Sequence, residues 1–339
     1  MPNNPTKILL STTLVGGILI SISSSSWLGA WMGLEINLMS FIPLMSSQEN
    51  IYTTEASLSY FLVQALASAS LMFFVMMKSM MNQSIIPSSL QSYAIMTPLL
   101  LKMGAAPMHW WFPSVMEGLS WINCLLMMTL QSAAPMMLIS YSMNMTPTTL
   151  LIILMSVTVG SLGGMNQTSL RSILTYSSIN HTGWMLTAML GGSNMWIMYF
   201  AVYSLLTSTV TTIAKSFNIS FVNQTMMVNK EATVKFMLFT TLMSLGGLPP
   251  FIGFLPKWTV IQLMIANELK FVMVVMVVMS LITLYYYLRM CYSSFIILHE
   301  ETKWTAWTNT KNKTSLHSVI LSSTSMMGLL LCTAVININ

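Results

Sequence analysis

The sequence predicts an all-α polytopic membrane protein of about eleven transmembrane helices, arranged as two inverted five-helix repeats that each contain a discontinuous helix. Of the 339 residues, 55% are hydrophobic and 6% are charged, whereas roughly 25% of the residues in a soluble domain are charged. Apolar runs of about 20 residues, the length that crosses a bilayer, recur along almost the whole chain. Two of these runs are interrupted by glycine and proline, and each interruption has a lysine beside it.

The apolar runs place the eleven spans in order along the chain. They lie near residues 8–26, 28–46, 56–77, 92–112, 121–143, 148–165, 173–190, 194–216, 233–262, 270–298 and 316–338. The first span has no signal-peptidase site after it, so we expect it to be retained. Residues 299–315 are polar and charged, and they predict an amphipathic segment on the membrane surface.

Lysine and arginine are distributed unequally between the two sides of the membrane that eleven spans define. The side of the N-terminus carries nine and the other side two, because basic residues favour the side from which a chain inserts. The nine are Lys7, Arg171, Lys215, Lys230, Lys235, Arg289, Lys303, Lys311 and Lys313, and the two are Lys78 and Lys270. The pattern predicts an N-terminus in the matrix or the cytoplasm.

Three charged residues, Glu35, Lys102 and Lys257, cannot be assigned to either side of the membrane, because they lie away from the ends of the predicted spans. Each charge near the centre of a bilayer costs roughly 2.5–3.5 kcal/mol, so intramembrane charges usually have a function. The alternative is that each lysine extends its ammonium group to the lipid headgroups. Both lysines lie near the middle of their spans and the glutamate side chain is short, so a functional role is the favoured interpretation.

The first interruption is the sequence "LLLKMGAAPMHWWFP" in the fourth span. Pro107 has no N–H for the carbonyl of Met103, and Gly104 weakens the same turn. We therefore expect the helix to open one turn after Lys102. Irregular backbone at this depth has to face protein or a wet cavity, because lipid cannot bind a freed carbonyl.

The second interruption is "SLGGLPPFIGFLPKW" in the ninth span. Its adjacent glycines and prolines break the helix, and Pro256 predicts a new helix start immediately before Lys257. Two ordinary proline kinks are the alternative interpretation. Against it, the two interruptions carry the only two lysines that the sequence predicts to be buried within the spans rather than near their ends.

The lysines are five spans apart, so spans one to five and six to ten form a predicted repeat. Because five is odd, the second copy starts on the opposite side of the membrane, as in transporters with discontinuous helices. This predicts a first repeat at 1–147, a second at 148–298, and a surface segment with a final helix at 299–339. His181 in the seventh span then corresponds to Glu35 in the second. His181 and His109 could equally be core histidines with satisfied hydrogen bonds.

No cofactor or metal is predicted for this chain. Cys124, Cys291 and Cys332 lie singly in three spans without the spacing of metal ligands. A glycine-rich phosphate loop, a cysteine cluster and a dinucleotide-binding fingerprint are all missing from the sequence. Any NADH, flavin or iron–sulfur chemistry is therefore expected on other chains, and no nucleic-acid partner is predicted.

Four stretches resemble one known family: "WMGLEIN", "LLLKMGAAPMHWWFP", "GGMNQTSLRSILTYSSINHTGWM" and "SLGGLPPFIGFLPKW". Together they are similar to mitochondrial NADH:ubiquinone oxidoreductase chain 2, an antiporter-like family in the membrane arm of respiratory complex I. The resemblance covers about residues 8–298. It implies that Glu35, Lys102 and Lys257 are proton-relay residues. Ser132 in "LQSAAP" stands where the family commonly has a further lysine, and the hypothesis is that water held by Ser132 and His181 substitutes for it.

The resemblance implies a proton-translocating subunit of complex I in the mitochondrial inner membrane, with the N-terminus on the matrix side. NADH, FMN, iron–sulfur clusters and ubiquinone are then expected on partner subunits. The expected partners are other membrane-arm subunits, including neighbouring antiporter-like ones, and phospholipids. Two alternatives stay open at this stage: a stand-alone cation/proton antiporter, and a purely structural membrane subunit.

Overall fold

The computed structural model describes residues 5–47, 50–80, 88–222, 224, 232–292 and 322–324. Within these ranges the regular secondary structure is helical, and one isolated β-bridge joins Ser169 and Phe221. The prediction of an all-α membrane fold is confirmed. The final predicted span at 316–338 and the surface segment at 299–315 lie outside the described residues, apart from 322–324.

Two compact units divide the chain, Met1–Ser156 and Val157–Asn339. The helices of the first unit are α1 (Pro5–Ser23), α2 (Trp27–Met45), α3 (Ile51–Met80), α4 (Ser88–Met103), α5 (Trp111–Gly118), α6 (Trp121–Met128) and α7 (Leu130–Ser142). The division falls inside α8 (Pro147–Gly163). The repeat boundary that the sequence predicts at 147/148 stays a prediction.

Five further helices have their bounds in the described part of the second unit. They are α9 (Leu170–Met189), α10 (Ser193–Phe217), α11 (Ala232–Gly246), α12 (Phe254–Ala266) and α13 (Lys270–Tyr292). In the first unit, α4 ends inside the predicted span 92–112, and α5 begins at the last residues of that span and continues beyond it. In the second unit, the predicted span 233–262 contains the break between α11 and α12. Both of these breaks fall at the glycine and proline residues that predicted them. The span predicted at 121–143 is also divided, into α6 and α7 at Thr129, which the sequence did not predict.

Six helical segments in the described ranges are long and apolar enough to cross a membrane. They are Pro5–Ser23, Trp27–Met45, Ile51–Met80, Trp121–Ser142, Asn194–Phe217 and Lys270–Tyr292. Shorter apolar helices at Pro147–Gly163, Phe236–Gly246 and Phe254–Ala266 accompany them. The two shorter helices at 236–266 are the halves of the interrupted ninth span, so their length follows from the break.

Helix α9 is polar, yet it is almost completely buried. Its sequence contains "TYSSINHT", and all of its residues except Arg171 and Tyr176 are buried within the protein. Its serine and threonine hydroxyls bond to carbonyls of the helix itself, but Asn180 and His181 would be costly to expose to lipid. The burial of α9 is therefore consistent with these two residues of its sequence.

Three helix termini of the second unit lie at one end, which we call the Gln167 end. Leu170 N–H donates to Ser220 at 2.9 Å, which joins the start of α9 to the loop that follows α10. Arg289, near the end of α13, donates from Nη2 to the carbonyl of Gln167 at 3.1 Å. The start of α9 therefore lies near the ends of α10 and α13, as the predicted alternation of span direction requires.

Candidate functional site

The first helix break forms at a left-handed glycine. Gly104 has φ +71°, its N–H donates to Leu101, and the N–H of Ala105 donates to Leu100, both at 3.1 Å. These two bonds form a Schellman motif, which ends a helix and needs a residue that tolerates positive φ. Helix α4 therefore ends at Met103, directly after Lys102. The missing N–H of Pro107 alone would allow the helix to continue further.

Side chains from two other helices bind the carbonyls beside this break. Gln64 of α3 donates from Nε2 to the carbonyl of Lys102 at 3.1 Å. Trp111 of α5 donates from Nε1 to the carbonyl of Leu101 at 3.2 Å. The sequence analysis did not identify Gln64 or Trp111. The available signals were an isolated amide in the apolar run "YFLVQALAS" and a tryptophan just beyond the break.

Lys102 is 7% exposed, so its ammonium group lies inside the first unit. Glu35 of α2 is half-buried and is near enough to Lys102 for a longer-range electrostatic effect. A second charge in the same region lowers the cost of burying the ammonium group. The role of the two residues as a pair stays a prediction.

The second break repeats the geometry of the first. Gly247 has φ +83°, its N–H donates to Ser244 at 3.1 Å, and the N–H of Leu248 donates to Met243 at 3.3 Å. This is again a Schellman motif with a left-handed glycine. In a continuing helix the carbonyl of Gly246 would pair with the N–H four residues later, but that residue is Pro250.

Lys257 donates a hydrogen bond to the carbonyl that this break leaves free. Its Nζ donates to the carbonyl of Gly246 at 2.9 Å and lies 5.8 Å from the ring centroid of Trp184, within range of a cation–π interaction. A Cβ on Gly247 would lie 2.9 Å from Lys257 Cδ. The side chain is 4% exposed, so the lysine is held inside the second unit, against the break.

Helix α12 starts at Phe254, two residues before the proline that predicted its start. Pro256 lies in the first turn, where a missing N–H costs no helical hydrogen bond. The predicted helix start was therefore slightly late, although the proline does lie in the first turn.

His181 lies on the buried face of α9, with 6% exposure. Its Nδ1 is 2.9 Å from the hydroxyl of Tyr199 on α10. Trp184, the residue beneath Lys257, follows His181 by one helical turn. Trp184 and Tyr199 were not identified from the sequence, because nothing local to the chain specifies which aromatic side chains surround a histidine.

Ser132 uses its hydroxyl within its own helix. Its Oγ is 2.9 Å from the carbonyls of both Met128 and Thr129. The adjacent Gln131 makes the contacts between helices: its Nε2 donates to Asn37 at 3.1 Å, and its Oε1 accepts from Tyr60 at 3.3 Å. The role of Ser132 in a relay stays a prediction.

His109 is half-buried in the turn after the first break, and its Nδ1 is 3.2 Å from the carbonyl of Pro107. This local contact is typical of a structural histidine. Among the described residues, no three His, Cys, Asp or Glu side chains come close enough together to hold a metal ion.

Replacing Gln64 with leucine is expected to destabilise the first break. The carbonyl of Lys102 would lose its hydrogen-bond donor while remaining buried, which costs about 1–3 kcal/mol. The measurement is the temperature at which the subunit is lost from the purified membrane assembly. Gln262→Leu, the same change at an exposed position of α12, serves as the control, and equal stability of the two variants would contradict the assignment.

Comparison with known proteins agrees with this architecture. Residues 24–283 match the family model described as NADH:quinone oxidoreductase/Mrp antiporter, TM, and residues 284–336 match the one described as NADH dehydrogenase subunit 2 C-terminus. The chain is 48% identical over 322 residues to NADH-ubiquinone oxidoreductase chain 2 of Anopheles gambiae, and the aligned region covers 94% of each chain. Identity to the protein of that name from Locusta migratoria is 45% over 341 residues, covering 98% of each chain.

A solved structure titled as respiratory complex I from Thermus thermophilus with bound Aureothin contains a chain of the same fold. The TM-score is 0.84 at 24% identity, and the match covers 97% of this chain and 79% of that one. The helical membrane fold and the two helix breaks that each carry a lysine are those of an antiporter-like membrane protein. The chain belongs to the NADH-ubiquinone oxidoreductase chain 2 family.

Proposed function

We propose that this chain is a proton-translocating membrane subunit of NADH:ubiquinone oxidoreductase, respiratory complex I. One observation carries the proposal: each unit buries a lysine next to a helix break, and the second lysine donates directly to a carbonyl that its break leaves free. Membership of the chain 2 family supports the assignment to this enzyme. The chain's own work is then to move protons, while quinone reduction takes place elsewhere in the complex.

The proposed relay runs through Glu35, Lys102, His181 and Lys257, with Ser132 and bound water as the central link. Two unit charges about 4 Å apart at an effective dielectric constant near 20 interact by roughly 4 kcal/mol. A neighbouring charge therefore decides whether a buried lysine keeps its proton. In this scheme Glu35 stabilises protonated Lys102, loss of that pairing sends the proton inward, and Lys257 releases it to the other side.

We place the chain in the mitochondrial inner membrane, with its N-terminus on the matrix side. The excess of basic residues on that side of the predicted spans supports this orientation. NADH, FMN, iron–sulfur clusters and ubiquinone are assigned to partner subunits. The proposed partners in the membrane arm are other subunits of complex I, including antiporter-like ones, together with phospholipids.

Replacing Glu35 with glutamine is expected to slow proton pumping without abolishing it. The substitution keeps the size of the side chain and removes the charge that interacts with Lys102, while both lysines remain. The test measures acidification inside proteoliposomes that contain the assembled complex during NADH oxidation. Glu268→Gln, the same change at an exposed turn residue, is the control, and identical pumping rates in the two variants would contradict the relay.

The alternatives predict different results in the same liposomes. A stand-alone cation/proton antiporter would exchange Na⁺ for H⁺ when this chain is reconstituted without partners. A purely structural subunit would tolerate apolar residues at positions 35, 102 and 257 with no loss of pumping. We expect neither result, because the near absence of charged surface in the sequence favours a subunit that receives its energy from other chains.

A further inference from the structure

A column of buried hydroxyl groups extends from His181 toward the Gln167 end of the second unit. It consists of Tyr203 on α10, Tyr286 and Tyr287 on α13, and Ser177 and Ser178 on α9, and we call these five residues the tyrosine column. Each of them is at most 3% exposed. None belongs to the relay proposed above, and none was identified from the sequence.

Neighbouring members of the tyrosine column lie close to one another. The ring centroid of Tyr203 is 5.1 Å from that of His181, and the ring centroids of Tyr286 and Tyr287 are 4.8 Å apart. Tyr203 is near enough to Ser178 and Tyr287, and Tyr287 to Ser177, for short-range electrostatic effects. The five hydroxyl groups therefore belong to one buried region between His181 and Tyr286.

The order of the residues along the helices gives the column a direction. Ser178 and Ser177 precede His181 by three and four residues, so they lie one turn nearer the start of α9. A Cβ on Gly164, in the loop before α9, would lie 2.9 Å from Cε1 of Tyr286. Arg289, one turn beyond the tyrosine pair, binds the carbonyl of Gln167. The column therefore leads from His181 to the Gln167 end.

The three tyrosine hydroxyls of the column are buried near other hydroxyl groups, but none makes a hydrogen bond of good geometry to a protein atom. Tyr203, Tyr286 and Tyr287 all lack a partner with hydrogen-bonding geometry, as does Oδ1 of the nearby Asn180. A buried polar group without a partner costs about 1–3 kcal/mol, and such groups in protein interiors commonly bind water. Phenylalanine would fill the same space without this cost, so packing alone does not explain tyrosine at three neighbouring positions.

We propose that the tyrosine column is the path along which protons pass between His181 and the membrane surface at the Gln167 end. This inference rests on the proposed function, since it supplies the relay with a connection to one side of the membrane. A hydroxyl accepts and donates hydrogen bonds at the same time. A proton that arrives through bound water attaches to the hydroxyl oxygen, and the original hydroxyl proton leaves for the next group, so no tyrosine changes its charge and no electron moves.

The test is a double variant, Tyr203→Phe with Tyr287→Phe, in the assembled complex. We expect proton pumping during NADH oxidation to fall by about tenfold, equivalent to a barrier higher by roughly 1.4 kcal/mol. The amount and thermal stability of the complex should be undiminished, because phenylalanine keeps the ring and removes a buried hydroxyl that has no protein partner. Tyr285→Phe, at the adjacent and 55% exposed residue of α13, is the matched control and should pump normally.

The outcomes separate this inference from the proposed function. Normal pumping in the double variant, together with lost pumping in a Lys102→Met complex, overturns the tyrosine column and leaves the relay intact. Normal pumping in both variants overturns both. Reduced pumping with less assembled or less stable complex overturns the inference, because the hydroxyls would then be structural. A high-resolution map of the unmodified complex gives a second measurement: water between the hydroxyls supports the path, and a dry column overturns it.

Discussion

Replacing Lys102 with methionine is expected to abolish the proton pumping that quinone reduction drives, while the complex still assembles. Methionine has a similar length and flexibility but cannot bind a proton. The structural contact at this residue is made by its main chain, whose carbonyl accepts from Gln64, and methionine keeps that carbonyl. The variant therefore removes the charge and leaves the first break intact.

The measurement is the ratio of protons moved to NADH oxidised in proteoliposomes. Lys78→Met, at an exposed position near the end of α3, controls for the loss of one positive charge. Pumping at the normal ratio in the Lys102→Met complex would count against the relay. Loss of assembly would instead show that Lys102 stabilises the first unit through its ammonium group.

Replacing Lys257 with methionine is also expected to abolish pumping, but with an additional loss of stability. The Nζ of Lys257 is the donor to the carbonyl of Gly246, so methionine leaves that carbonyl buried without this partner. The expected cost is about 1–3 kcal/mol, together with loss of the cation–π contact with Trp184.

Thermal unfolding of the purified complex, measured beside proton pumping, tests the difference between the two lysines. The Lys257→Met complex should lose the subunit at a lower temperature than the Lys102→Met complex. Lys270→Met, at the exposed first residue of α13, is the control for charge. If the two lysine variants are equally stable, the hydrogen bond to Gly246 does not support the second break.

The sequence predicted the breaks well because their causes are local. Proline cannot donate an N–H and glycine tolerates positive φ wherever they occur, so the positions of both interruptions follow from residue type. The residue at which each helix ends depends on whether the left-handed glycine or the missing N–H of proline acts first along the chain. At the first break the left-handed Gly104 ends the helix before the influence of Pro107 begins.

The sequence by itself determined the membrane class, the two glycine- and proline-rich helix breaks, and the lysine that is buried beside each of them. Hydropathy, span length and the cost of intramembrane charge act along the chain and need no knowledge of neighbouring helices. Only the tertiary structure decided which groups bind the freed carbonyls: Gln64 and Trp111 at the first break, and Lys257 itself at the second.

The tyrosine column also appeared only in the tertiary structure. Tyr203 and Tyr287 are far apart in the sequence, and Tyr285 differs from Tyr286 only in the side of α13 on which it lies. Hydropathy does not distinguish these tyrosines, because an aromatic residue suits both a lipid-facing and a protein-facing position. The rotation of each helix about its axis, which packing against other helices sets, decides which hydroxyls meet inside the protein.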